Sequence, residues 1–332
     1  MKSAAYIHNE NQLAEINATL NPPKGEKTGK IGLFCPGKNG DILTVMSVLP
    51  HIEKLWPCKD IIWYCNLPMA ENLKYSNVSE VRPYPWEGIE VDPYTQLMDP
   101  ETNRLRQDRK LEFEITADLE DGYFPAAWMM SVEKRHSIPY TDVSKKIFGV
   151  PDDWTWKPML NFRQAEFSEI SSFVEKLPHK KTILIENDFQ SGQSGWNDHL
   201  TERTIKICEE QWGLCNFIFV SGNDNSKFMD DGIVSASQFT VRQCGMFAFV
   251  ADLFIGVSSG ISVAISSLNF NAIPIIQYCN SIQCSTLGLS EGIDFHLIAP
   301  NDMENEFPKH IKDDVLQTRY EHKLIEILNK YK

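Results

Sequence analysis

A two-domain α/β fold, each half built as a doubly wound sheet of parallel strands, is what this sequence predicts. Three observations carry the prediction. The chain has 332 residues, more than one hydrophobic core comfortably serves, and a typical domain length of about 150 residues suggests two domains. Short apolar runs alternate with helix-spaced segments through both halves, the βα rhythm of a parallel sheet. Between the halves, Pro151, Asp152, Asp153 and Pro158 form a turn-rich stretch that reads as a linker. The expected division is a polar extension over 1–29, a first domain over 30–155, a second over 156–311 and a C-terminal helix over 312–332.

The elements follow in order. Residues 1–28 are polar, run into Pro22, Pro23, Lys24 and Gly25, and carry only a weak helical pattern, so they read as an extension. The fold proper starts at Lys30, with a strand at Ile31–Cys35 and a turn-rich loop at Pro36–Gly40. Ile42, Met46, Leu49, Ile52 and Trp56 then recur at helical spacing. A second strand lies at Ile61–Cys65, a short helix-like stretch at Met69–Tyr75 and a third strand at Val78–Tyr84. Pro85–Arg109, rich in Pro, Asp, Asn and Arg, reads as a long loop of the kind that often carries substrate contacts. A helix is expected at Tyr140–Val150, ending near Gly149.

The second half repeats the alternation. Helices are expected at Ala165–Glu175, Thr201–Gln211, Val241–Ala251 and Ser262–Leu268, and strands at Thr182–Glu186, Phe217–Ser221, Leu253–Val257 and Pro274–Tyr278. Lys312–Tyr331 has the spacing of an amphipathic surface helix.

Composition removes several classes of function. Hydrophobic residues make up 42% and charged residues 23%, which is ordinary for a folded globular chain. A net charge of −13 repels a phosphate backbone, so nucleic acid is not an expected partner, although backbone N–H groups can still hold one small phosphate ligand. The eight cysteines show no CxxC pair and no zinc-like spacing, and read as reduced buried thiols. No stretch approaches the roughly 18 apolar residues of a bilayer span, and the N-terminus has no secretory pattern. A cytoplasmic protein without a transmembrane segment is expected, and the sequons at Asn17 and Asn77 are chance matches.

Open α/β sheets bind ligands beyond the carboxyl ends of their strands, which directs attention to the loops after Cys35, Glu186, Ser221, Val257 and Tyr278. Two such domains facing each other would border an interdomain cleft. In the first loop, Lys38, Asn39 and Gly40 precede Asp41, which either caps a helix or acts as a general base on a substrate hydroxyl. The second, with Gln190, Ser191, Gly192, Gln193, Ser194 and Gly195, either holds phosphate oxygens or is a surface turn. Glu186 and Asp188 beside it are strand-end carboxylates or contacts to a donor sugar. In the third, Ser258, Ser259 and Gly260 lead into a helix beginning near Ser262, giving either an anion-binding helix start or a plain serine cap. Gly222 and Asn223 fit a turn or the edge of a nucleotide pocket. The GxGxxG and GxxxxGK[ST] patterns are absent from the first loop, which weakens dinucleotide and Walker-type readings, a nicotinamide-linked oxidoreductase among them.

In order, these segments resemble glycosyltransferase family 9, which includes the bacterial heptosyltransferases. The stretch GDILTVMSVLPHIEKLWP resembles the family's Gly-Asp-x-x-x-Thr helix start, DVSKKIFGVPDDWTWKPML its lead into the nucleotide domain, SGWNDHLTERTIKIC its tryptophan loop, and ADLFIGVSSGISVAISSLNFNAIPII its donor-phosphate motif. The resemblance implies a GT-B fold, two Rossmann-like domains facing a cleft, the first for the acceptor and the second for a nucleotide sugar. It places Asp41 on the catalytic aspartate and puts Glu186, Gln190, Ser191, Gln193, Ser194, Gly222, Ser258, Ser259, Gly260 and Ser262 on the donor side, with Lys38, Asn39 and Gly40 on the acceptor side. The chain departs from the family at Ser258, where Asp is usual, at Val263, where His is usual, and near Ser194, where a lysine is missing. The activity implied is inverting, metal-independent and cofactor-free transfer from a nucleotide-diphosphate sugar to a hydroxyl of a glycan, glycolipid or protein. Peripheral membrane contact through an acceptor lipid is compatible with it, and no oligomeric state is implied. The departures leave two other readings open: a non-catalytic nucleotide-sugar-binding or scaffolding protein, and a GT-B-like nucleotide-sugar epimerase.

Overall fold

The structure is a computed structural model, and it describes residues 4–22, 28–35, 39–46, 49–57, 59–83, 108–113, 115–118, 160–187, 196–257, 259–267, 273–278, 303–306 and 313–332. The chain divides into two compact units, and among the described residues the changeover falls between Phe162 and Arg163. The helix expected at 140–150, the linker at 151–158 and the long loop up to residue 107 lie outside the described residues.

The first unit holds strands β1 (Gly29–Cys35), β2 (Lys59–Cys65), β3 (Glu80–Pro83) and β4 (Ile115–Asp118). They form a sheet of order β3-β2-β1-β4 in which every neighbouring pair is parallel. Ile31, Leu33, Phe34 and Cys35 of β1 and Ile61–Cys65 of β2 are all buried, the near-continuous apolar run of strands covered on both faces. Register sets Leu33 against Trp63 and Phe34 against Tyr64. The rings of Phe34 and Tyr64 stack at 4.6 Å, and Phe113 meets both edge-on. Gly32 makes room for that ring, since a Cβ there would lie 2.7 Å from Phe113.

The helical spacing read from Ile42 to Trp56 resolves into two helices, α2 (Asn39–Met46) and α3 (Leu49–Leu55). Pro50 sits in the first turn of α3, where its missing N–H costs nothing, whereas inside one long helix it would lose a bond and clash with the preceding turn. Leu67–Leu73 is a 3₁₀ helix opened by a proline, close to the short helix expected there.

The N-terminal segment is a helix, α1 (Ala4–Thr19), docked against the edge of this sheet. Its Ile16 is buried. The Asn17 amide donates to the Val81 carbonyl at 3.0 Å and accepts from the Val81 N–H at 2.7 Å, so one side chain satisfies backbone groups that edge strand β3 would otherwise leave open.

The second unit contains α4 (Gln164–Val174), β5 (Lys181–Glu186), α5 (Asp198–Trp212), β6 (Cys215–Phe219), β7 (Ile233–Ser235), α6 (Val241–Met246), β8 (Leu253–Gly256), α7 (Gly260–Ile265), β9 (Ile275–Tyr278), β10 (Met303–Glu306) and α8 (Asp313–Lys330). Its sheet has the order β10-β9-β8-β5-β6-β7, again parallel at every pairing. From β5 the chain winds outward through β6 and β7, then crosses back to β8 and winds the other way through β9 and β10. That is the doubly wound order, with its switch point between β5 and β8. The helix expected over Val241–Ala251 ends at Met246 and continues as a 3₁₀ turn, Phe247–Phe249.

The core on one face of this sheet joins Ile183, Ile185, Phe217, Phe219 and Ile255 to Leu200 and Ile207 of α5 and to Tyr320, Leu324, Ile327 and Leu328 of α8. Helix α8 is amphipathic as expected, with His322, Glu326 and Lys330 on its exposed side. It is fastened to α5 by an Arg203–Glu321 ion pair at 2.7 Å, a Thr204–Tyr320 hydroxyl pair at 2.8 Å and the Trp212 indole N–H on the Leu328 carbonyl at 2.7 Å. The five cysteines among the described residues, Cys35, Cys65, Cys208, Cys215 and Cys244, are buried. Burial pushes the thiols of Cys215 and Cys244 up to about 11 and about 12, and those of Cys65 and Cys208 upward as well, so all four stay protonated and inert near neutrality. Cys58, Cys279 and Cys284 lie outside the described residues.

Candidate functional site

At the switch point of the second sheet the ends of β5 and β8 meet, the place where open α/β sheets bind ligands. Glu186 is the last residue of β5, buried, and register sets it opposite Gly256 at the end of β8. The glycine is required there. A Cβ on Gly256 would lie 2.9 Å from the Glu186 Cβ, the Glu186 carbonyl oxygen and the Phe254 ring. We expect Gly256→Ala to displace Glu186 and to cost about 1–3 kcal/mol, the usual penalty of overpacking; urea unfolding measures it, and a loss under about 0.5 kcal/mol would show that the strand ends shift at no cost.

Ser259 caps α7. Its Oγ accepts from the N–H groups of Ile261 at 3.0 Å and Ser262 at 3.2 Å, and its hydroxyl donates to the carboxylate of Glu186. Ser262 returns the contact: its Oγ accepts from the Ser259 N–H at 3.0 Å and donates to the Ser259 carbonyl at 2.8 Å. Two serines thus make a reciprocal capping box. The serine cap expected for this turn is present, with two first-turn N–H groups engaged. Gly260 is the first helical residue, and Ser258 lies outside the described residues. Cys244 of α6 is near enough to Glu186 for the carboxylate charge to add to the effect of burial in raising its thiol.

Beside this turn, the exits of β5 and β6 are joined by a buried polar ring. The Ser221 hydroxyl donates to Asn187 Oδ1 at 2.6 Å, the Asn187 amide donates to Asn225 Oδ1 at 2.8 Å, and the Asn225 amide donates to Ser221 Oγ at 3.1 Å. All three residues are buried. Gly222, next in the chain, is exposed, and a Cβ placed on it would meet nothing within 4 Å. Gln190, Ser191, Gln193 and Ser194 lie outside the described residues, as does Asp188. The chain re-enters the described residues at Trp196, which is buried, donates its indole N–H to Thr201 Oγ1 at 2.8 Å and meets the Tyr320 ring edge-on. That tryptophan is an anchor of the core.

In the first unit, α2 is the element that follows β1 in the chain, and Asn39, Gly40 and Asp41 occupy its first three positions. The helix buries Ile42, Leu43, Val45 and Met46, which fixes its frame. Asn39 Oδ1 accepts from the amide of buried Asn72 at 2.7 Å, tying the helix start to the 3₁₀ segment. Lys38 and the side chain of Asp41 lie outside the described residues.

The sequence reading missed Asn72, Asn187 and Asn225. Each is a polar residue in a polar or turn-like context, and nothing in the local sequence distinguishes a buried asparagine from a solvated one. Among the described residues no cluster of three or more His, Cys, Asp or Glu side chains could hold a metal ion, and no helix is long and apolar enough to cross a membrane.

No protein-family model matches the sequence, and no curated protein matches it. Solved structures do. A glycosyl transferase of family 9 from Veillonella parvula superposes over 94% of this chain and 99% of its own with a TM-score of 0.59 at 13% identity. The Escherichia coli ADP-heptose LPS heptosyltransferase II superposes over 91% and 99% with a TM-score of 0.54 at 13% identity. The bacterial iron-containing dodecameric glycosyltransferase TibC, from enterotoxigenic E. coli, gives 92% and 77% with a TM-score of 0.51 at 13% identity. The chain thus has the GT-B fold expected from its sequence, that of the family 9 glycosyltransferases.

Proposed function

We propose that this protein is a glycosyltransferase that moves a sugar from a nucleotide-diphosphate donor to a hydroxyl of a glycan, glycolipid or protein, with inversion and without a metal ion. The observation that carries the reading is the likeness in fold to family 9 transferases over nearly the whole chain, both units included. In this reading Asp41 takes the proton of the acceptor hydroxyl as that oxygen attacks the anomeric carbon, and the bond from that carbon to the diphosphate breaks, releasing the nucleotide. Lys38, Asn39 and Gly40 shape the acceptor side. The donor lies on the second unit, against Gly222, Ser258, Ser259, Gly260 and Ser262 and the residues Gln190–Ser194, where backbone N–H and hydroxyl groups beyond those engaged in the Ser259–Ser262 capping box offset the charge of the leaving diphosphate. Glu186, held by Ser259, is a carboxylate and is better suited to sugar or ribose hydroxyls than to phosphate oxygens. No cofactor enters this scheme.

One observation favours a second reading, a nucleotide-sugar-binding or scaffolding protein without turnover: the Ser259 hydroxyl and the N–H groups it caps are already committed within the fold.

Both readings meet the same experiment, a panel of ADP-heptose and common UDP, GDP and dTDP sugars, followed by thermal shift and by released nucleotide with EDTA present. A donor at about a hundredfold above its Kd adds about 2.7 kcal/mol to the folded state, several degrees in Tm. The transferase predicts a shift with one donor and acceptor-dependent nucleotide release that EDTA leaves intact. A shift without release favours the binding protein, conversion of the donor without acceptor favours the epimerase, and no shift with any donor overturns the donor site. Gly222→Val supplies the control. The site of its added atoms is open in the free protein, so stability holds while donor binding falls.

A further inference from the structure

We propose that Asn187, Ser221 and Asn225 are positioning residues for the nucleotide side of the site, a role that rests on the donor reading above. Their three hydrogen bonds run in one direction around a closed ring, each side chain donating once and accepting once within it. Such rings polarise one another and hold a geometry more tightly than isolated bonds. Apolar side chains would bury at lower desolvation cost, as Ile183–Ile185 of β5 and Phe217–Phe219 of β6 do just before the ring. What the ring does is fix the exit of β5 relative to the exit of β6, at the carboxyl edge of the sheet where ligands sit.

A second layer of bonds extends the hold to the turn itself. The Asn223 amide donates to the Asn187 carbonyl at 2.9 Å, and the Asn225 amide also donates to the Asn223 carbonyl at 3.2 Å. Farther out, Lys227 pairs with Asp198, the first residue of α5. Gly222 therefore lies between two residues, Ser221 and Asn223, that are both bonded to Asn187, while its own face stays open. The ring presents an exposed stretch of backbone at a fixed distance from Glu186, as binding of a nucleoside diphosphate through main-chain groups requires.

Ser221→Ala deletes the member that closes the ring, and Ser221→Cys keeps its volume with a much weaker donor. The full-length variants are titrated with ADP, UDP, GDP and dTDP by calorimetry, with Tm and amide exchange measured alongside. Ile207→Val, a core change in α5 that touches neither turn, serves as a control of comparable stability loss. We expect Kd for the nucleotide that the wild type binds to rise about tenfold in both serine variants. Exchange should quicken at Gly222–Asn225, and Ile207→Val should bind as the wild type does. Unchanged Kd in both serine variants would reduce the ring to a purely structural role and overturn the inference alone. A wild-type protein that binds none of the four nucleotides overturns the donor reading and this inference with it.

Discussion

Asp41→Asn is expected to slow sugar transfer by about 10²–10⁴-fold, the usual contribution of a positioned general base, while leaving Tm within a degree or two of the wild type. Asparagine has the same shape and keeps a side-chain oxygen able to accept from first-turn N–H groups, so the start of α2 survives. What disappears is the charge, worth about 0.3–1 kcal/mol against a helix dipole. The helix frame itself rests on buried Ile42, Leu43, Val45 and Met46 and on the Asn39–Asn72 bond, none of which the substitution touches. The two readings of Asp41 thereby separate in one protein. A plain cap predicts a small loss of stability and native turnover; a base predicts native stability and lost turnover. Donor binding, placed on the other unit, should be unchanged in either case, so measuring it alongside shows that the loss belongs to the chemical step. Native transfer rates in a folded Asp41→Asn protein would remove Asp41 from the mechanism.

How far the sequence discloses such a site depends on what each residue must do. Strands buried on both faces, such as Ile31–Cys35 and Thr182–Glu186, are legible because apolar content alone marks them. The three strands that went unread, β4, β7 and β10, are edge strands of three or four residues, too short for a period and, in Met303–Glu306, too polar to look like a core. The N-terminal helix escaped notice for a related reason, since Asn17 holds it to β3 through backbone bonds, which leave no hydrophobic stripe. At the candidate site, small residues after a strand drew attention to the loops beyond β5, β6 and β8. Pattern could not show which side chains turn inward: the bond from Ser259 to Glu186 and the ring of Asn187, Ser221 and Asn225 depend on the ends of strands far apart in sequence being brought together. Arg242 is the extreme case, a charged residue at the start of α6 whose side chain is completely buried with no local pattern to mark it.

Removing the partner of that arginine should be among the most damaging single changes available to the second unit. The Arg242 side chain is 0% exposed and Glu166 17% exposed, and the guanidinium pairs with the carboxylate through both of its terminal nitrogens. Glu166 also accepts from the Arg163 N–H at 2.9 Å, which completes the capping box at the start of α4, so one carboxylate starts a helix and neutralises a buried charge on another. Glu166→Ala leaves the guanidinium in a low-dielectric interior without that countercharge, and loss of one member of a buried pair costs about 3–5 kcal/mol. For a protein of this size that is on the order of ten degrees in Tm. Arg242→Met should cost less, because Met fills similar space and the carboxylate left behind keeps some solvent contact and its bond to Arg163. The double change Glu166→Leu with Arg242→Met should recover most of the loss, since an apolar pair carries no desolvation penalty. Urea unfolding of these variants, with Glu166→Leu alone as the remaining corner, closes the cycle. A Glu166→Ala protein within about 1 kcal/mol of the wild type would mean that water or another carboxylate already screens the arginine. The full loss would instead make this pair the joint between α4 and α6, the helix whose Cys244 lies close to Glu186 at the candidate site.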